Sequence, residues 1–395
     1  MKYQILNGDN RVVLKTIESN SIDAIVTDPP YGIDFLGKSW DANTGSLETY
    51  RECLRVLKPG GHLLAFSAAR TYHHLAITLE QAGFEIRDQI MWIYSSGFPK
   101  SQDVGKSIDR GEKKTKGRLG PLYTPAQGNP KITACEVCGA GNGILKASKC
   151  QHDPCPFKEI AKPADNEWAG WGTALKPAHE PICLARKPIK VSIAKNCQKW
   201  GTGALNIDAG RIPYEPDAHV LKYDGYKNGS YESTHKNPIS YSHGTKVSIN
   251  EQGRFPSNVI GEIDEPYQKY FYCPKVSRAE RHTGYDLSNI PTDPSGKYDN
   301  GGYSANQETL KSAGNNHPTV KPVELMKYLI KLVTPPLGRV LDPFNGSGST
   351  GMAAVELGYE YIGIEQDDSY CEISRKRIAA HFKRADPLRA SGLFD

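Results

Sequence analysis

Two short stretches carry residues whose types and spacing could do chemistry. Residues 27–32 read TDPPYG and follow the apolar run IDAIV at 22–26. A carboxylate (Asp28), two rigid residues (Pro29, Pro30) and an aromatic ring (Tyr31) therefore stand at the end of a strand-like segment. Each proline fixes φ and cannot donate to a ladder, so the same residues also suit a plain turn. The second stretch is DPFNGSGSTG at 342–351, where Gly346, Gly348 and Gly351 satisfy G-x-G-x-x-G and Glu365 ends the next apolar run. Small residues there let backbone approach a ligand, and the downstream acid accepts hydrogen bonds from ribose hydroxyls. No Lys follows the glycines, which disfavours a nucleoside triphosphate. A nicotinamide or flavin dinucleotide fits the glycines, as does another adenosine-containing cofactor. Asp342 favours the latter, because a carboxylate at a strand tip repels pyrophosphate and attracts a cation. S-adenosylmethionine carries an ammonium, a sulfonium and a ribose.

A third set of residues is metal-binding in type. Cys135 and Cys138 form a C-x2-C pair, and Cys150 and Cys155 a C-x4-C pair shortly after it. Four thiolates so spaced predict a closed, tetrahedral zinc knuckle at 135–155 that is structural and not catalytic, with His152 able to replace one cysteine.

The elements that must position these residues follow from hydrophobic period. YQIL (3–6), DAIVTD (23–28), HLLAFSA (62–68) and EIRDQIMWIY (85–94) read as strands, and the segments between them as helices, 46–61 closed by Pro59 and Gly60 and 71–84 ending at Gly83. The rhythm stops from about 97 to 312, a stretch rich in Gly, Pro, Asn, Ser and Tyr. It resumes with a helix at 321–334, a strand at 338–344, a helix at 349–358, a strand at 359–365 and a helix at 369–382. Alternating strands and helices predict an α/β fold with a mostly parallel sheet, here built from both ends of the chain around a large loop-rich insertion.

Composition bounds the partners. The 395 residues carry a net charge of +5. Residues 101–200 hold 17 Lys and Arg against nine Asp and Glu, whereas 201–320 hold 12 against 14. A local basic surplus suits contact with phosphates and equally suits a solvated face. No run is long and apolar enough to span a bilayer, and the amino terminus lacks a secretory pattern, so a soluble, cytoplasmic protein is expected, with no membrane partner. Nine cysteines at unequal spacing point to thiols and a metal in a reducing compartment.

DPPY (28–31) before DPFNGSG (342–348), separated by a long insertion, resembles the β-class amino-methyltransferases of DNA. NGD (7–9), LKPGG (57–61), NNHPTVKPVELM (315–326) and GIEQDDSYCEISRKRI (363–378) resemble that family's motifs in its order. GWGTALKPAHEPI (170–182) and YFYCPKVSRAER (270–281) are similar to segments of phage and bacterial members. The resemblance implies a Rossmann-like class I methyltransferase fold with circularly permuted motif order. It divides the chain into a catalytic half (1–98), an inserted target-recognition region (99–312) and a cofactor-binding half (313–395).

It further implies methyl transfer from S-adenosylmethionine to an exocyclic amino group of a base flipped out of double-stranded DNA. Asp28 and the Pro29 carbonyl would accept the two amino N–H groups, Pro30 would stiffen the turn, and Tyr31 would stack on the base. Asp342, Phe344, Gly346 and Gly348 would surround the donor's methionine part, Asp28 and Asn345 would also contact the donor, Glu365 would hold its ribose and Asp9 would approach its adenine. Thr319, Lys321 and Pro322 would close over the methionine end. Aspartate in DPPY favours adenine N6, since family members acting on cytosine N4 more often have serine there. Cytosine N4 stays open as the target, as do RNA, a homodimer and a restriction partner, in a bacterial or phage-infected cell. A dinucleotide oxidoreductase would leave DPPY idle. A zinc-bearing nucleic-acid-binding protein with an inactive catalytic domain is the non-enzymatic alternative.

Overall fold

The computed structural model describes residues 3–33, 43–94, 101–109, 166–175, 177–211, 255–261, 276–290 and 314–385. The chain forms two compact units. The first comprises Met1–Ile93, His179–Gly284 and Val320–Asp395, and the second Tyr94–Ala178 and Tyr285–Thr319.

The first unit is an eight-stranded sheet with helices. Its amino-terminal part runs β1 (Tyr3–Asn7), α1 (Asn10–Val13), β2 (Ile22–Thr27), α2 (Leu47–Val56), β3 (Leu57–Phe66), α3 (Tyr72–Ala82) and β4 (Glu85–Ile93). After α4 (Val104–Asp109), which belongs to the second unit, come β5 (His179–Arg186), α5 (Ile193–Trp200), β6 (Val259–Gly261) and α6 (Arg278–Arg281). The carboxyl-terminal part runs α7 (Val323–Val333), β7 (Arg339–Asp342), α8 (Ser349–Glu356), β8 (Glu360–Glu365) and α9 (Asp368–Ala385).

Strand order is β1-β8-β7-β2-β3-β5-β4-β6. The late strands β7 and β8 fill the gap between β1 and β2, so both ends of the chain complete one sheet. All neighbours pair in parallel except those of β5, which runs antiparallel between β3 and β4. Every residue of β2 is buried, as its continuous apolar run requires of a central parallel strand. Alternate residues serve two layers: Ile25, Leu63, Ala65, Cys183, Ala185, Leu341 and Ile364 join α2 and α3 in one core. On the other face α7 packs on β2 and β3, and α8 lies between α7 and α9.

Two sequence expectations differ from the structure. Helical spacing to Leu57 with closure at Pro59 and Gly60 predicts a slightly longer helix than the one observed, which ends at Val56, with β3 starting at once at Leu57. Pro59 explains this, because it forces the residue before it out of the helical region. The stretch 99–312, read as one insertion, contributes β5 and β6 to the sheet itself. In the second unit, Asp103 bridges Gly172, Gln102 N donates to Thr173 Oγ1, and Trp168 meets Trp171 edge to face at 5.4 Å.

Candidate active site

Parallel strands in a sheet of this kind present their carboxyl ends at one edge, and the residues expected to act are collected there. Thr27 ends β2 and Asp342 ends the neighbouring β7; the Thr27 hydroxyl donates to Asp342 Oδ1 at 2.6 Å. Thr350 Oγ1 donates to the other oxygen at 2.6 Å, and the Phe344 N–H to Oδ1 at 3.0 Å. Asp342 is therefore a buried brace for the turn that follows it. Burial pushes its carboxyl up to about 6 against the pull of those three donors.

The glycine loop is held from three sides. Glu365, at the end of β8, accepts the Gly346 N–H at 2.8 Å and the Asp367 N–H at 2.9 Å. Burial pushes its carboxyl up to about 7, and those two backbone donors only partly offset this. Arg377 of α9 is fully buried beneath the loop, donating to the Ser347 carbonyl at 2.6 Å and to the Glu280 carbonyl at 3.2 Å. Asn10 Nδ2 donates to the Pro343 carbonyl at 3.0 Å and its Oδ1 accepts from Thr49, tying the loop after β1 to the loop after β7.

Gly346 has φ +51° and Gly348 φ +82°, the left-handed region that glycine enters without strain. A Cβ on Gly348 would also stand 2.4 Å from Ser374 Oγ, and one on Gly351 2.6 Å from the Tyr361 ring. Two of the three glycines are thus demanded by packing of α8 on its neighbours. Asn345 is buried and serves the same framework, its Oδ1 accepting from Tyr361 and its Nδ2 donating to Ser374. Phe344 packs against the core beside Tyr50. Asp9 caps α1 through the Arg11 N–H at 2.9 Å and pairs with the Arg11 side chain, which holds its carboxyl below the usual range.

Next to the Thr27–Asp342 link lies a cluster of charged groups. Lys321 Nζ donates to Asp28 Oδ2 at 2.7 Å and to the Tyr31 hydroxyl at 3.0 Å, and stands 3.3 Å from Glu180 Oε2. The Tyr31 hydroxyl is 2.9 Å from Asp28 Oδ1 and 2.7 Å from Glu180 Oε2. The ammonium also lies over the Phe66 ring at 4.9 Å. Burial works against the Lys321 charge, but the Asp28 and Glu180 carboxylates together outweigh it and raise its pKa. Burial, then the two carboxylate charges, push the Tyr31 phenol well above its ordinary value. Lys321 stays an ammonium and Tyr31 a phenol, leaving one net negative charge on the cluster. Only 7% of the Lys321 side chain is exposed, against 19% of Asp28 and 20% of Glu180, so the cation is the most enclosed of the three and the carboxylates are partly exposed.

Sequence reasoning brought Asp28, Tyr31 and Lys321 forward and missed Glu180. Its position follows from the antiparallel β5: only a strand running backwards puts its first residues at the edge where the others end. The acid just before the apolar run PICLA was the available signal, and strand direction was needed to use it. Lys321 donates to Asp28 and Tyr31 in this arrangement. Pro322 caps α7, and Thr319, whose carbonyl lies 2.6 Å from His317 Nδ1, falls in the second unit. Cys135, Cys138, Cys150 and Cys155 lie outside the described residues. Among the described residues no group of three or more metal-ligating side chains occurs, and no helix is long and apolar enough to cross a membrane.

The sequence profile of the N6/N4 DNA methylase family matches residues 22–376. The chain belongs to that family. Over 421 aligned residues this methylase is 23% identical to the Type II methyltransferase M.HindIII of Haemophilus influenzae, covering 95% of this chain and 94% of that protein. It is 38% identical to M2.DpnII of Streptococcus pneumoniae over 103 residues, covering 26% and 38% of the two chains. Among solved structures, the M1.HpyAVI–SAM complex is 18% identical with a TM-score of 0.40, covering 95% of this chain and 99% of that one. The cytosine-N4-specific PvuII methyltransferase is 14% identical with a TM-score of 0.43, covering 98% and 93%. The expectations of an α/β methyltransferase and of DNA as the class of substrate are met at the level of the family, which includes both N6 and N4 enzymes.

Proposed function

We propose that this methylase transfers a methyl group from S-adenosylmethionine to the N6 amino group of adenine in double-stranded DNA, with the base flipped out of the helix. One observation carries the reading: the net-negative, partly exposed Asp28 cluster adjoins the glycine loop through the Thr27–Asp342 hydrogen bond. An acceptor site for an amino group and a loop suited to an adenosine ligand are thus one hydrogen bond apart.

The loop fits the donor chemically. Glu365 is a carboxylate at a strand end whose burial holds it near 7, and two ribose hydroxyls would supply donors that favour its ionised form. When bound, S-adenosylmethionine supplies an electrophilic methyl group on a sulfonium. Asp28 and the Pro29 carbonyl accept the two N–H groups of the target amine. That draws its lone pair out of conjugation with the ring and towards the methyl. The single net negative charge of the cluster stabilises the positive charge that develops on nitrogen. Because the amine attacks as a neutral group, no strong base is needed first, and the proton leaves afterwards to Asp28 or water. The Tyr31 ring supplies a stacking face for the base. Aspartate at the head of DPPY supports adenine over cytosine, and the Type II relatives support a modification role beside a restriction enzyme.

The reading includes a structural zinc on Cys135, Cys138, Cys150 and Cys155, which elemental analysis tests: one zinc per chain is expected, lost on replacing Cys135 and Cys138 by serine. The function itself is tested by mass spectrometry of nucleosides from unmethylated DNA treated with protein and S-adenosylmethionine. N6-methyladenine is the expected product; N4-methylcytosine in its place overturns the adenine assignment.

A further inference from the structure

We propose that Glu180 is a positioning residue for the transfer step: by accepting the Tyr31 hydroxyl's hydrogen bond and sharing Lys321, it frees Asp28 Oδ1 to take an N–H of the target amine. The inference rests on the reading of Asp28 as the acceptor of that amine.

One phenolic proton faces two acceptors. A phenol has one proton, and the Tyr31 hydroxyl has two carboxylate oxygens within reach, Asp28 Oδ1 at 2.9 Å and Glu180 Oε2 at 2.7 Å. Donation to one excludes donation to the other at the same moment. With the proton towards Asp28, both Asp28 oxygens are engaged, Oδ1 by Tyr31 and Oδ2 by Lys321. With the proton towards Glu180, Oδ1 faces an oxygen lone pair across 2.9 Å, and an entering N–H relieves that repulsion. Glu180 also stands 3.3 Å from Lys321 Nζ, so the ammonium keeps a second carboxylate when substrate charge draws on Asp28. The partial exposure of both carboxylates puts this exchange at the surface that substrate meets, with the cation fixed below. β5 holds Glu180 rigidly opposite Trp92 of β4, within the sheet and not on a loop.

Single-turnover transfer of tritiated methyl from S-adenosylmethionine to unmethylated plasmid DNA tests this, with donor affinity and thermal midpoint measured for each protein. The set is wild type, Asp28→Asn, Glu180→Gln, Tyr31→Phe and the Tyr31→Phe/Glu180→Gln pair. Glu180→Gln is expected to slow transfer roughly ten- to a hundredfold through lost alignment, with donor Kd unchanged within about twofold. In the Tyr31→Phe background there is no proton to place, so the same change should cost less than about threefold. Glu180→Asp retains a carboxylate, is expected to recover part of the rate, and replaces Glu180→Gln in the cycle if the latter does not fold. A wild-type rate in Glu180→Gln, or equal losses in both backgrounds, overturns the positioning role while Asp28→Asn still reports on the function. If wild type transfers no methyl to DNA, the functional reading fails and takes this inference with it.

Discussion

Asp28 and Asp342 stand at the tips of adjacent parallel strands, yet their surroundings give them different work. Asp342 is enclosed by Thr27, Thr350 and the Phe344 N–H, whereas Asp28 is partly exposed and paired with Lys321. Glu365 lies between these extremes, and its carboxyl near 7 gives the account a pH dependence. A raised acid pKa means that the ionised form is disfavoured until donors arrive. A ligand that donates to the carboxylate therefore binds better as pH rises and releases a proton. Donor affinity should weaken as pH falls from 7 to 6, approaching about tenfold per unit, and be flat above 8. Isothermal titration in buffers of different ionisation enthalpy reads both the slope and the proton. Glu365→Gln should bind more weakly and lose the dependence; a wild type whose affinity is level from 6 to 8 would deny Glu365 this role. Folding without ligand has the opposite sign. Between the unfolded value of 4.5 and about 7 the folded Glu365 holds more proton, so this residue makes stability fall as pH rises through that window. DPPY and the glycines were legible in the sequence because their backbone chemistry is local. Glu180 and Arg377 were not, because their partners lie far away along the chain.

At the scale of elements, the glycine pattern is as much a packing device as a ligand device. A Cβ on Gly351 would meet Tyr361 of β8 at 2.6 Å and Ile378 of α9 at 2.4 Å. The core ring cannot yield, so Gly351→Ala should lose about 1–3 kcal/mol in urea denaturation despite alanine's better helix propensity. Unchanged stability would show that α8 can move off β8. Arg377→Met should cost about 3 kcal/mol or more, because the Ser347 and Glu280 carbonyls lose their buried charged donor. A variant as stable as wild type would mean that the loop does not depend on this clamp. Periodicity found most helices and strands on both sides of the insertion, and Pro59 marked the closure of α2, although Leu57, which keeps the helical spacing, already opens β3. It also could not find β5 or β6, which lie in composition that reads as loop.

For the whole molecule, the late strands complete what the early strands begin. Ending the chain at Thr319 removes β7 and β8, leaving β1 without its neighbour and exposing one edge of the fully buried β2. Such a protein is expected to show no cooperative thermal transition by circular dichroism; a sharp one would mean that the amino-terminal strands form a core unaided. That the ends share a sheet was readable from the strand–helix rhythm resuming after residue 320. The order in which they interleave was not, since pairing across hundreds of residues leaves no mark in local pattern. The interleaving sets Asp28 beside the glycine loop, and the central claim is that Asp28 holds the amine that receives the methyl. The most direct test is single-turnover methyl transfer to DNA by Asp28→Asn beside wild type, with donor binding measured on the same samples. Donor binding is expected within about threefold of wild type, and transfer lowered by at least about a hundredfold. Transfer at the wild-type rate would contradict it.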